Sequence, residues 1–248
     1  MSHFKPASLD EPAWRIKPAA TSWLPALLQL SDSTLPVGAY AHSFGLEGLV
    51  QMGAVSDIGD LERFLTREML STLTEVELPL IRHSRTALEN KDLATLTRLD
   101  HLALATRPTA ELRSSSTRMG RQLLKLAPQL LGEELTKSPA WQLVLDSLPH
   151  RQTATATAIL HHFREVPPNA GLHATTWQTL SGLAQAGLKL LHLGPAGIQG
   201  ILARCADAIP NAVAASLSIP EEAIGSYTPL WDIASSRHER APARLFIS

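Results

Sequence analysis

The chain is predicted to be all-α, a single-domain bundle of roughly eight to ten helices. Three observations carry this. Leu and Ala dominate while aromatic residues make up only 5% of the chain, so a sheet-type core is poorly supplied. The β-branched residues are scattered and do not alternate, which leaves strands little support. Apolar residues instead recur at the helical spacing i, i+3, i+4 in one segment after another. A chain of 248 residues can hide roughly 70–75% of its unfolded surface, so one continuous core is within reach.

Taken in order, residues 1–22 are rich in Pro, Ala and Ser and are expected to form a flexible arm ahead of a domain spanning 23–239. From Leu27 the chain reads LLQLSDSTLPVGAYAHSFGLE: it begins apolar and helical, breaks at Pro36 and Gly38, and resumes through Tyr40, His42, Ser43 and Glu47. Those polar groups occupy positions where a buried helix would carry leucine. After Ser56, the run Leu61, Phe64, Leu65, Met69, Leu73, Val76 marks a helix. Leu93, Leu96, Leu99 and Leu102 mark the next, with Asp92 as candidate N-cap. Leu112, Met119, Leu123 and Leu126 follow, ended by Pro128. Trp177 to Leu191 ends at Gly194–Pro195, and Ile198 to Ile209 ends at Pro210. The 17 prolines are read as punctuation, because proline removes a helix hydrogen bond and clashes with the preceding turn. Arg164 to Leu172, with Pro167–Pro168–Asn169, is read as a loop. Residues 240–248 form a tail, RAPARLFIS, whose apolar end implies ordering on its own fold or on another chain.

Composition excludes several classes. The formal net charge is −1 with no clustered basic footprint, which argues against nucleic acid. No run of about 18 apolar residues is present, so no membrane span is expected. The first residues lack the apolar stretch of a secretory signal. Cys205 alone forms no intramolecular disulfide or C-x-x-C pair, which fits a reducing cytoplasm.

No phosphate-cradling loop, nucleophile elbow or H-E-x-x-H is present, so no catalytic residue is assigned. Gly194, Gly197 and Gly200 follow no strand and suit a helix–turn–helix connection. Ten histidines give no i, i+3 or i, i+4 pair, so no metal ligands are assigned. His161 and His162 point about 100° apart on a helix and are read as a structural, solvated pair. Ser43 and Glu47 are four apart; a local cap and a functional surface both remain open there. Gly45 and Gly48 invite close approach of another backbone, internal or foreign. Arg118 and Arg121 share a helix face, solvated or binding. Lys189 sits among apolar neighbours, as a snorkelling lysine would.

Four segments in order resemble the UreF family of urease accessory proteins. They are LLQLSDSTLPVGAYAHSFGLE (27–47), SSTRMGRQLLKLA (115–127), LKLLHLGPAGIQGIL (188–202) and WDIASSRHERAPARLFIS (231–248). The chain departs from the family after His150, where RQTATATAILHHF is more polar, and at Ile198, where the family has Gln. The resemblance implies an all-α homodimer that catalyses nothing and holds no cofactor tightly. It implies service in nickel insertion: binding the UreD/UreH scaffold, recruiting the GTPase UreG to apo-urease, and leaving nickel to the complex. By matching position, Tyr40, His42, Ser43 and Glu47 would be partner-facing or tunnel-lining, with Arg118 and Arg121 in the second segment. Lys189 would communicate with the GTPase. Arg237, His238, Glu239 and Arg244 would belong to a C-terminal region ordered with partners. The alternative is a small all-α enzyme using His42 and Glu47 as acid and base, since a carboxylate can raise a neighbouring imidazole.

Overall fold

The structure is a computed structural model, and it describes residues 21–38, 42–241 and 243–247. It is 73% helical; among the described residues there is no strand, and twelve helices are found, nine of them of seven residues or more. The expected arm falls almost wholly outside the described residues, as does Tyr40.

Helix α1 (Trp23–Leu30) stops at Ser31, well before Pro36, and α2 (Leu46–Gln51) begins only after Gly45. His42 and Ser43 therefore precede a helix and do not lie on one. Ser43 Oγ accepts from the Glu47 N–H at 3.2 Å, the local cap of the sequence reading.

The run after Ser56 builds α3, continuous from Ile58 to Glu89. Asp57 caps it by accepting from the Asp60 N–H at 2.8 Å. Two π-helical stretches interrupt it, Phe64–Met69 and Leu73–Glu77. The second leads into Pro79, which has no N–H to offer the Glu75 carbonyl four residues back. That carbonyl accepts instead from the Gly225 N–H at 3.3 Å.

Next come α4 (Leu93–Ala105), capped by Asp92 on the Thr95 N–H at 3.0 Å, and α5 (Ala110–Lys125), capped by Thr109. Short helices α6 (Ala127–Leu131), α7 (Glu133–Thr136) and α8 (Pro139–Asp146) follow. Then come α9 (Thr153–Phe163), α10 (Pro168–Leu190), α11 (Pro195–Ser216) and α12 (Pro229–His238).

Two proline readings are corrected. The loop before α10 is shorter than expected, because Pro168 opens the helix from its first turn, where a missing N–H costs nothing. Pro210 does not end α11, which runs on to Ser216. Ala212, Val213 and Ser216 beyond it are buried, so tertiary packing outweighs the lost hydrogen bond.

The core gathers around α9, which packs on α3, α4 and α5. Its RQTATATA approach is polar by composition yet buried: Ala154, Thr155, Ala156 and Ala158 are fully enclosed. Small residues allow neighbouring helices to come close. The "solvated" reading of His161 and His162 is likewise corrected: both sit on α9, and His161 is buried among core residues. Helices α10 and α11 pack against each other and against α3 on the other side, and α12 lies on α2.

Asp100 on α4 organises the entry to α9. Its buried carboxylate accepts from the N–H groups of His150, Arg151 and Gln152 at 2.7, 2.9 and 2.8 Å. Thr155 Oγ1 donates to it as well, at 2.7 Å. An ionised carboxylate near the first turn also complements the helix dipole.

Candidate functional site

The site begins with two glycines. Gly45 has φ +86°, a left-handed backbone that L side chains rarely adopt, and a Cβ there would lie 2.5 Å from Trp231 Nε1. A Cβ on Gly48 would lie 2.3 Å from the Ala234 carbonyl oxygen. The sequence left open which backbone these glycines admit; it is α12 of the same chain. Trp231 Nε1 then donates to the Phe44 carbonyl at 2.6 Å and packs edge-on against Phe64.

This close approach brings the end of α12 over Glu47. Nε2 of His238 lies 3.0 Å from Glu47 Oε2, and its Nδ1 lies 2.9 Å from Oε2 of Glu111, in the first turn of α5. One imidazole thus bridges two carboxylates through its two ring nitrogens. Arg244 Nη1 donates to Glu111 Oε1 at 2.8 Å. The N–H of Leu245 donates to Glu47 Oε1 at 2.7 Å and that of Phe246 to Oε2 at 2.9 Å. Gln51 Nε2 donates to the Ala243 carbonyl at 3.1 Å.

The result is a clamp on the last turn of chain. The His238 ring and the Arg244 guanidinium join two carboxylates, and buried polar groups are tolerated only when paired and hydrogen-bonded in this way. Glu47 is 4% exposed and His238 0%. Both Glu47 oxygens are occupied. Phe246 is buried between the clamp and Lys189, whose Nζ stands 5.8 Å from the ring centroid. Leu245 and Ile247 on either side are exposed.

Of the residues singled out in the sequence, Ser43, Glu47, Lys189, His238 and Arg244 are brought together. His42 is close by: it is buried and tilted against Phe44 at 6.0 Å. Burial pushes its imidazole pKa down, Arg118 adds to that and Glu111 opposes it. His42 also lines a cleft of about 600 Å³ shared with Phe44, Met69, Met119 and His161. Arg118 and Arg121 lie apart from the clamp, on the exposed side of α5 beside Arg113 and Lys125. Arg237 and Glu239 flank His238 but are exposed. Glu111 was missed, whereas Phe246 belongs to the apolar chain end that was expected to order on its own fold or on another chain. Glu111 reads in sequence as an ordinary first-turn acid, and only the fold shows its second role.

Among the described residues, no group of three or more His, Cys, Asp or Glu is placed to hold a metal ion. Nor is any helix among them long and apolar enough to cross a membrane.

A model of the UreF family matches residues 55–206. The urease accessory protein UreF of Azoarcus sp. (strain BH72) is 35% identical over 227 residues, covering 90% of this chain and 94% of that protein. The UreF proteins of Methylobacillus flagellatus and of Klebsiella pneumoniae (strain 342) are 32% and 33% identical, each covering 90% of this chain and 96% of their own length. The chain belongs to the UreF family. These relatives are named as urease accessory proteins and not as enzymes. In this UreF-family chain the first and last resembling segments meet at Glu47 and His238, and the third reaches the same place through Lys189 and Phe246.

Proposed function

We propose that this chain is a non-catalytic adaptor in the assembly of the urease nickel centre. It works in the cytoplasm as a homodimer, holds the UreD/UreH scaffold on one surface, presents another to the GTPase UreG, and brings both to apo-urease. Nickel is the cargo of that complex. Coupling between the scaffold site and the GTPase site would be of the usual size, about 1–3 kcal/mol.

The observation that supports this best is the clamped C-terminal segment. Four polar side chains and two backbone N–H groups fix a short stretch of chain so that Leu245 and Ile247 remain outside. Helix α12, tied to it through His238, exposes Leu230 and Ile233. Apolar side chains held at the surface by a rigid polar base suit a protein partner better than a substrate. The acid–base alternative has less support, because both Glu47 oxygens are spent on His238 and two amides.

The test is urease activation in a defined mixture of apo-urease, UreD, UreG, nickel, bicarbonate and GTP, with and without the chain. Activation should depend on it, and should fall with Lys189→Ala and with truncation before Arg240. Equal activation without the chain, all other parts being competent, would overturn the adaptor role.

A further inference from the structure

Two histidines that sequence spacing could not connect meet on the surface. His101 Nδ1, on α4, lies 2.9 Å from His150 Nε2, and the rings are set edge to face at 4.7 Å. They are 49 residues apart, so no helical spacing rule finds them. The contact is exposed.

The backbone beneath both rings is fixed by one group. Asp100, adjacent to His101, is the buried carboxylate that holds the N–H groups of His150, Arg151 and Gln152. Arg151 is kept at φ +58° in that turn. A left-handed, non-glycine turn persists only where its surroundings over-determine it. The two imidazoles are thus presented from a rigid base, not brought together by two mobile loops.

We propose that His101 and His150 form a binding site for a divalent first-row transition ion. The distance argues for it. Two imidazole nitrogens bound to one ion at about 2.0–2.1 Å and at right angles are about 2.9 Å apart. The observed separation, that of the hydrogen bond now joining the rings, equals that edge of a square-planar or octahedral shell, so the two nitrogens can share an ion without moving apart. Without an ion, one nitrogen must carry a proton to bond the other. Binding puts the donor ring in its other tautomer, with the proton on the far ring nitrogen, and turns both rings so that their lone pairs meet at the metal. Borderline ions that favour imidazole, such as Ni²⁺, Co²⁺, Cu²⁺ and Zn²⁺, fit; Mg²⁺ and Ca²⁺, which require oxygen ligands, do not. Two protein ligands leave the other positions to water. The site does not rest on the adaptor role and stands or falls separately from it.

The test uses the purified full-length chain and Ni²⁺ alone, titrated in competition with a chromophoric chelator. One equivalent should bind, and His101→Gln and His150→Gln should each weaken binding at least ten-fold. His173→Gln, at a half-buried histidine elsewhere, should leave it unchanged. With Co²⁺ as a paramagnetic probe, histidine ring NMR signals of His101 and His150 should broaden first. The proposal is overturned if either substitution leaves affinity unaltered while circular dichroism shows the fold intact, or if broadening centres on other histidines. Mg²⁺ at the same concentration should displace nothing.

Discussion

Glu47 contributes more than its position on a six-residue helix would suggest. Its carboxylate takes the His238 ring and two backbone N–H groups, all in a buried setting. Removing one partner from such an arrangement leaves the others unpaired, at a cost of about 3–5 kcal/mol. Glu47→Ala should therefore lower stability in urea by that order. It should also free the amides of Leu245 and Phe246 to exchange with deuterium. Glu47→Gln keeps the shape and loses the charge, so a smaller loss is expected. Unchanged exchange at 245–246 in the alanine variant would remove the clamp from the account. The importance of Glu47 was legible in sequence as a carboxylate where leucine was due. Its partners were not, because His238 stands 191 residues away and only the α2–α12 approach connects them.

At the scale of elements, the helical period located the long helices well, since buried faces impose it directly. Punctuation was harder to read. Pro79 and Pro210 stand within helices, and both are tolerated because the surrounding packing, and for Pro79 the Gly225 amide, replaces what the proline withholds. Asp100 shows the same dependence on context. It follows the leucine spacing of α4 as an interruption, yet it secures the start of α9 from outside that helix. Asp100→Ala would leave three N–H groups without their acceptor, while the Thr155 hydroxyl keeps the Gln152 carbonyl at 2.9 Å. At about 1–3 kcal/mol for each buried group left unsatisfied, the loss should exceed about 3 kcal/mol. Thermal unfolding checks this; a melting point within a degree or two of the parent would show that water replaces the carboxylate.

Across the whole molecule, the histidines set the response to acid. Burial holds the His161 pKa down at about 4, with Arg85 adding to the effect. The pKa values of His42, His83 and His162 are also lowered, each chiefly by burial. A histidine with a depressed folded pKa favours the fold while neutral, so its contribution is complete above the unfolded value of about 6.5 and is lost on the way down. His161 alone accounts for about 3 kcal/mol between neutral pH and pH 4. Asp232, raised by burial, works in the opposite direction and offsets a little of this. Unfolding in urea should show stability level above pH 7 and falling steadily from pH 6.5 to 4. His161→Phe should flatten that fall. A parallel fall in the variant would place the acid sensitivity elsewhere. None of this was visible from the sequence, where two adjacent histidines on a helix look solvated. Burial is a property of the assembled bundle, and it decides their chemistry.

The two π-helical stretches of α3 have a consequence for how that helix counts. Each accommodates more residues per turn than its neighbours, so the face presented after Leu78 is out of phase with the face presented before Phe64. Deleting Thr66 should therefore restore ordinary winding and leave Leu78, Leu80 and Ile81 facing the core, because a π stretch spends about one residue more than an α-helix over nearly the same rotation. Inserting one alanine in the α-helical turns after Leu78 should instead swing the residues that follow by roughly 100° away from the core. The helix carries something like a reading frame, and its melting temperature should survive the deletion better than the insertion.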